Sequence, residues 1–264
     1  MAVYTDIASE IYAKSRGTVP PGVNISTGKS GPVTLTRIEI TRPGLARPKG
    51  RYSLLEMPSL AVVDDKNERY VNAVAGELRA LLPQSGSVLV VGVGNRRVTA
   101  DALGPRTADG VLVTRGLDKG GELGLREVSR VSPGASGSTG IPLAELLISL
   151  VRCTKPQALI CVDSLCTGEA GRIGRSVQIS DAGLCPARVG STKCLTRAML
   201  GLPVIAIGVP TMMEADEAVK KPGLVVVPQH LDSVVQKGAS LLALAINKAL
   251  QPRLSLAELC YLAN

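Results

Sequence analysis

"VLVVGVGNRRVTADALGP", residues 88–105, decides the fold. Val88 to Val91 is an unbroken apolar run, the signature of a strand buried on both faces. Gly92 and Gly94 then turn the chain, and Asp101 is the single acid of the stretch. The loop serves either a phosphate or a carboxylate. The dinucleotide fingerprint needs a third glycine, where helix and strand pack closely, and Arg97 occupies that position. No Lys-Ser or Lys-Thr follows, as a Walker loop requires. Nucleotide binding through 92–97 is therefore the weaker reading of the loop.

Outward from this stretch the same alternation recurs. "KNERYVNAVAGELRALL" places Tyr70, Val71, Val74, Ala75, Leu78, Leu81 and Leu82 on one helical face. "PLAELLISLVRC" and "QHLDSVVQKGASLLALAINKAL" show helical spacing too, whereas "QALICVDSL", "RSVQISDAG" and "PVIAIGVP" read as buried strands. "GVLVTRGL" fits a strand or a helix end. Continuous apolar strands alternating with amphipathic helices predict a three-layer α/β/α fold around a mostly parallel sheet. "RIEIT" (37–41) alternates as a strand and gives a small N-terminal β-containing segment. Residues 1–32, rich in Gly, Pro, Ser and Thr, read as a mobile or loosely docked arm, and 33–264 as a single α/β domain.

Composition narrows the chemistry. Aromatics are 2% of 264 residues, with no Trp or Phe, so stacking on single-stranded nucleic acid is nearly excluded. No direct nucleic-acid recognition is expected. The net charge of +8 suits solubility, or approach to a polyanion or an acidic partner. Its one modest cluster is Arg42, Arg47, Lys49 and Arg51. Six cysteines show no CxxC pair or metal-ligand spacing, and no run is long enough to span a membrane. A cytosolic protein with reduced thiols and no membrane attachment is expected. The one histidine, His230, precedes a helix and reads as a capping or surface residue. No cofactor and no metal site is implied, and acid–base chemistry falls to carboxylates.

Functional groups in open parallel sheets gather where strands end. Asp101 follows the strand 88–93, Asp163 ends "ALICVD", and Asp181 ends a third strand. If these strands are neighbours, two acids share one crevice, where one stays protonated and the other activates water. Asp163 as a helix cap is the equally available alternative. Gly92 and Gly94 shape the loop, and Asn95 serves either as a turn residue or as a partner of an acid or a substrate carbonyl. The Gly-rich "SPGASGSTG" offers backbone amides to substrate, or is a connector.

Several segments together resemble the spore germination protease family: "KGRY" (49–52), "VVGVGNRRVTADALGP" (90–105), "SPGASGSTGI" (132–141), "VDSL" (162–165), "QISDAG" (178–183) and "GLPVIAIGVPT" (201–211). "YTDIASE" (4–10) resembles the family's start, with a weaker echo from "LVVVPQHLDSVV" onward. The resemblance implies an aspartic-type endopeptidase, related to hydrogenase-maturation endopeptidases, that degrades small acid-soluble spore proteins during germination. It implies Asp101 and Asp163 as the essential acids, a self-processing precursor, a homotetramer, and a cytoplasmic location in the forespore or spore core. The positive charge leaves room for substrates held on DNA. Family substrates are cut in a context like Thr-Glu-Ile-Ala-Ser-Glu, so Asp6–Ile7 is the expected self-processing bond and 1–6 a short propeptide. The chain departs from the family in length, with a block missing around "MMEADEAVKKPG" (212–223). It also departs at Arg96 and Arg97, and at "VGSTK" (189–193), where a denser basic run is expected. Two rivals remain: a non-catalytic or regulatory sporulation protein on the same scaffold, and a nucleotide-binding regulator.

Overall fold

The computed structural model describes residues 5–13, 19–64, 66–117, 123–185, 194–214 and 224–263. In chain order these form α1 (Ala8–Ala13), β1 (Val23–Ser30), β2 (Val33–Ile40), β3 (Gly50–Glu56), α2 (Glu68–Leu81) and β4 (Val88–Gly92). A 3-10 turn (Thr99–Asp101) leads into α3 (Leu103–Asp109), followed by β5 (Val128–Val131), α4 (Ser136–Thr139) and α5 (Leu143–Thr154). Then come β6 (Ala158–Thr167), β7 (Ser176–Ser180), α6 (Arg197–Leu200), β8 (Val204–Glu214), β9 (Val225–Val226), α7 (Leu231–Leu250) and α8 (Leu256–Leu262).

Among the described residues the strands make one sheet in the order β1-β2-β3-β7-β8-β6-β4-β5, with β9 beside β8. Helices cover both faces, so the three-layer α/β architecture expected from the alternation is present. One face carries α2, α3 and α7 through Val74, Leu78, Leu103, Val235, Leu242 and Ile246. The other carries α5 and α6 through Leu143, Leu147 and Met199 over Leu89, Val91 and Cys161. Parallel pairing is confined to β5-β4-β6-β8. The other described pairings, β1-β2, β2-β3, β3-β7, β7-β8 and β8-β9, are antiparallel, so the sheet is mixed and not mostly parallel, because β1, β2 and β3 follow one another as a meander and β7 returns against β8. The N-terminal β segment thus continues the main sheet.

Three further expectations are corrected. Of the expected mobile or loosely docked arm, residues 5–13 and 23–30 are firmly docked: α1 packs Ala8 and Tyr12 against Ile38, Ile40 and Tyr52, and β1 pairs with β2 along its length. Glycine and proline richness marks turns here, and Ile7, Ala8, Tyr12 and Val23 find a buried surface while Val19 and Ile25 stay exposed. Cys185 and Cys194 form a disulfide, so not all thiols are reduced. "GVLVTRGL" is neither strand nor helix beyond the end of α3. It runs beside β5, where the Thr114 hydroxyl accepts from Val128 N at 2.9 Å. The family-departure segment 189–193 and most of 212–223 lie outside the described residues, as do Met1–Tyr4 of the expected propeptide.

The βα junction is fixed by close backbone approach. A Cβ on Gly92 would lie 2.2 Å from the Gly104 carbonyl oxygen, and one on Gly104 would lie 2.2 Å from the Val93 oxygen and 2.4 Å from that of Val162. Close helix–strand packing, which the dinucleotide motif obtains from its third glycine, comes here from Gly104. Gly92→Ala is therefore expected to destabilise the fold by about 1–3 kcal/mol or more, as overpacking does. A chemical-denaturation midpoint unchanged from the parent would contradict this.

Candidate active site

Because β4 and β6 are adjacent and parallel, with Gly92 opposite Val162, their C-terminal ends open side by side. Asp101 comes from the 3-10 turn beyond β4, and Asp163 follows Val162 on β6. The structure brings these two predicted residues together, and their charges interact.

The loop answers its own question. The backbone N–H of Asn95 donates to Asp101 Oδ2 at 2.6 Å. An amide that a phosphate cradle would present outward is turned inward onto a carboxylate. Gly94, at φ +122°, permits this, since a Cβ there would meet the Asp101 backbone oxygen at 2.1 Å. The Asn95 side chain does not reach an acid. Its Oδ1 accepts from Arg97 N at 3.0 Å, which makes it a turn residue. Arg96 pairs with Asp109 at 3.0 Å, away from both acids. The Gly-rich segment 132–141 is half-buried at 133–136 and contains α4, and its Ser136 hydroxyl accepts from Leu143 N at 3.1 Å.

Asp181 does not join the pair. β7 runs antiparallel to β8, so its C-terminal end lies at the opposite end of the sheet from the tips of β4 and β6. Asp181 instead accepts from Arg51 N at 2.6 Å and pairs with Arg51 Nε at 2.8 Å. His230 is exposed at the start of α7. Among the described residues no group of three or more His, Cys, Asp and Glu is placed to hold a metal ion.

Burial divides the two acids. Asp163 is pushed well above the usual carboxylate range, first by desolvation, then by the charge of Asp101, and further by Asp6; the Ser164 amide offsets this in part. Asp101 is raised by burial and held back by the Asn95 amide. Asp163 is thus the proton holder and Asp101 the more readily ionised partner. The Cys161 thiol beneath them is pushed up to about 12 by burial and by Asp163, so it is not a nucleophile at neutral pH.

Asp6 enters this group because the segment Thr5–Glu10 lies in the crevice. Asp6 N donates to Cys166 O at 2.8 Å, and Cys166 N donates to Asp6 Oδ2 at 2.8 Å. Arg47 donates to the Thr5 carbonyl and stands 3.7 Å from Asp6 Oδ1. Ile7 is 0% exposed, between Leu54 and Leu165. Glu10, also 0% exposed, accepts from the Thr167 hydroxyl and from Gly168 N at 2.7 Å, with Arg172 at 3.5 Å. Arg172 also donates to the Ser9 hydroxyl at 2.8 Å. A buried carboxylate is tolerated only with such partners. Gln178, central in β7, contacts the backbone of both Asp6 and Ala8. The acid pair and the docked segment thus lie side by side at the C-terminal ends of the parallel strands.

Comparison with known proteins gives the lineage. A family model described as germination protease matches residues 7–222. A germination protease of Clostridium tetani is 30% identical over 98% of this chain and 98% of its own length. One from Caldanaerobacter subterraneus is 37% identical over 81% of this chain and 70% of its own. One from Priestia megaterium is 36% identical over 74% and 56%. The chain belongs to the germination protease family, a family of peptidases. A NiFe hydrogenase maturation protease from Thermococcus kodakarensis aligns with TM-score 0.41 and 18% identity, over 64% of this chain and 98% of that one.

The residues that sequence reading missed are Gln178, Arg47, Thr167 and Arg172. Gln178 had a signal, as the one large polar residue inside the strand "SVQIS". Arg47 was visible only as part of a basic cluster.

The raised Asp163 has a consequence for stability. The folded state keeps a proton that the unfolded chain releases near 3.8. The stability linked to this group is full below that value and is lost as pH rises through the folded value. Asp163→Asn removes the loss. Its melting temperature should exceed that of the parent by an amount that grows from about pH 4 upward and then levels off, at about 2–4 °C per kcal/mol relieved. A difference that shrinks with rising pH in calorimetric melts would contradict the assignment.

Proposed function

We propose that this chain is an aspartic-type endopeptidase that cuts small acid-soluble spore proteins during germination, working with water between Asp101 and Asp163. The observation that carries the reading is the acid pair of unequal proton affinity beside the docked segment Thr5–Glu10. Asp101, the ionised partner, takes a proton from water as the oxygen attacks the peptide carbonyl. Asp163 supplies a proton to the products. No histidine is needed for either role.

The same segment supports self-processing of a precursor at Asp6–Ile7. The sequence Thr-Asp-Ile-Ala-Ser-Glu differs by one methylene from the context cut in substrates. It is held on both sides of that bond, by Arg47 and the β6 backbone before it and by the Ile7 and Glu10 pockets after it. Assembly as a homotetramer, action in the forespore or spore core, and attack on DNA-bound substrate complete the reading. Among the described residues no helix is long and apolar enough to cross a membrane.

Two measurements test this. Asp101→Asn and Asp163→Asn should each lower cleavage of a small spore protein by roughly a thousandfold or more while the chain stays folded. Mass spectrometry of the products gives the readout, and retained turnover in either variant rejects the acid pair. N-terminal sequencing of matured protein should begin at Ile7, and a mature chain beginning at Met1 or Ala2 rejects the processing bond.

A further inference from the structure

We infer that Gln178 is a further catalytic residue, the neutral donor that holds the carbonyl oxygen of the bond being cut. The inference rests on the reading of Asp6–Ile7 as that bond. Asp163 on β6 lies opposite Gly208 on β8, and Gly208 lies opposite Gln178 on β7. Residues directly paired across a sheet share a face. Val177 and Ile179 point into the core under α2 and α7, so Gln178 faces the other way, as Asp163 does. Between them stands a residue without a side chain. A Cβ on Gly208 would lie 2.4 Å from the Asp163 carbonyl oxygen and 2.8 Å from Leu165 Cγ. The row therefore reads acid, gap, amide, with the peptide lying over it.

The amide straddles the bond. Gln178 Nε2 donates to the Asp6 carbonyl oxygen at 2.9 Å, and Gln178 Oε1 accepts from Ala8 N at 2.8 Å. The second contact fixes the first. A backbone N–H can only donate, so it selects Oε1 and leaves Nε2 turned to the carbonyl. The residue is 9% exposed, and its side-chain orientation is set before any charge develops. Donors at 2.7–3.1 Å from a developing oxyanion are the usual means of stabilising it. A neutral donor fits this position, because a lysine or arginine there would pair with Asp163 and pull its proton off.

The assignment completes the proton balance. Water attacks the Asp6 carbonyl carbon and gives its proton to Asp101. The carbonyl π electrons move to the oxygen, which Gln178 holds as an anion. Asp163 then delivers its proton to the Ile7 nitrogen as the C–N bond breaks. The products are a carboxylic acid at residue 6 and an amine at residue 7, the sum of peptide and water.

The test compares Gln178→Met, which keeps bulk without a donor, with Gln178→Glu, which keeps an acceptor for Ala8 N. The full chain is used, folding is checked by circular dichroism, and whichever variant folds is read. One readout is self-cleavage. The other is kcat and KM on a synthetic peptide of residues 1–13. The expected result is a loss of about 10²–10³ in self-cleavage rate and in kcat, with a KM change under about tenfold. If the parent cuts at Asp6–Ile7 and the folded variants keep kcat within about threefold while KM rises, Gln178 only docks the peptide, and the inference is overturned with the acid pair still standing. If the parent cuts at another bond, or cuts nothing, the assignment of the bond falls and Gln178 loses its carbonyl with it.

Discussion

Backbone pressed on backbone at Gly92 and Gly104 is the constraint from which the rest follows. No methyl group fits between β4 and the first turn of α3. That contact draws the helix down over the tips of β4 and β6, and it fixes the loop between them at a length that returns Asp101 to the sheet edge. The same loop then commits its Asn95 amide to the Asp101 carboxylate. Without the close approach, the turn would have the freedom to present its amides to solvent, and the two acids would not share a crevice.

The crevice is built from unequal environments. Asp163 has burial and two neighbouring acids against it, and one backbone amide for it. Asp101 has an amide and less burial. That asymmetry lets two identical side chains hold different protonation states at one pH. The docked segment sharpens it, since Asp6 adds negative charge beside Asp163 while its own carboxylate is met by Arg47 and the Cys166 amide. Family membership says that the chain is a germination protease relative. The electrostatics set the two acids apart, with Asp163 raised further than Asp101.

How much was legible in the sequence differs by element. The helices α2 and α7 could be read from their apolar stripes, and Val235, Leu241, Leu242, Ala245, Ile246 and Ala249 of α7 lie in the core. The buried strands β4, β6 and β8 were legible because a strand covered on both faces must be apolar throughout. Strand direction was not legible. "SVQIS" carries no mark that it returns antiparallel, and that reversal is what removes Asp181 from the pair. The N-terminal docking was hidden because its anchors, Leu54, Leu165, Thr167 and Arg172, lie far from it along the chain. The disulfide was hidden for a similar reason: eight residues between two cysteines match no familiar spacing, and only the fold brings Cys185 and Cys194 together.

Residues Ile7 to Glu10 carry one last implication. They fill the crevice from within the same polypeptide. A tethered segment competes at an effective concentration of about millimolar, whatever the dilution of the protein. Any free peptide that uses the same groove must displace it, and at micromolar levels it starts at a disadvantage of about a thousandfold. Severing the chain ahead of Ile7 leaves this occupant attached through Ala13 and beyond. On the proposed peptidase reading, throughput on outside peptides is therefore set by how readily α1 lifts away, and cutting alone does not vacate the groove.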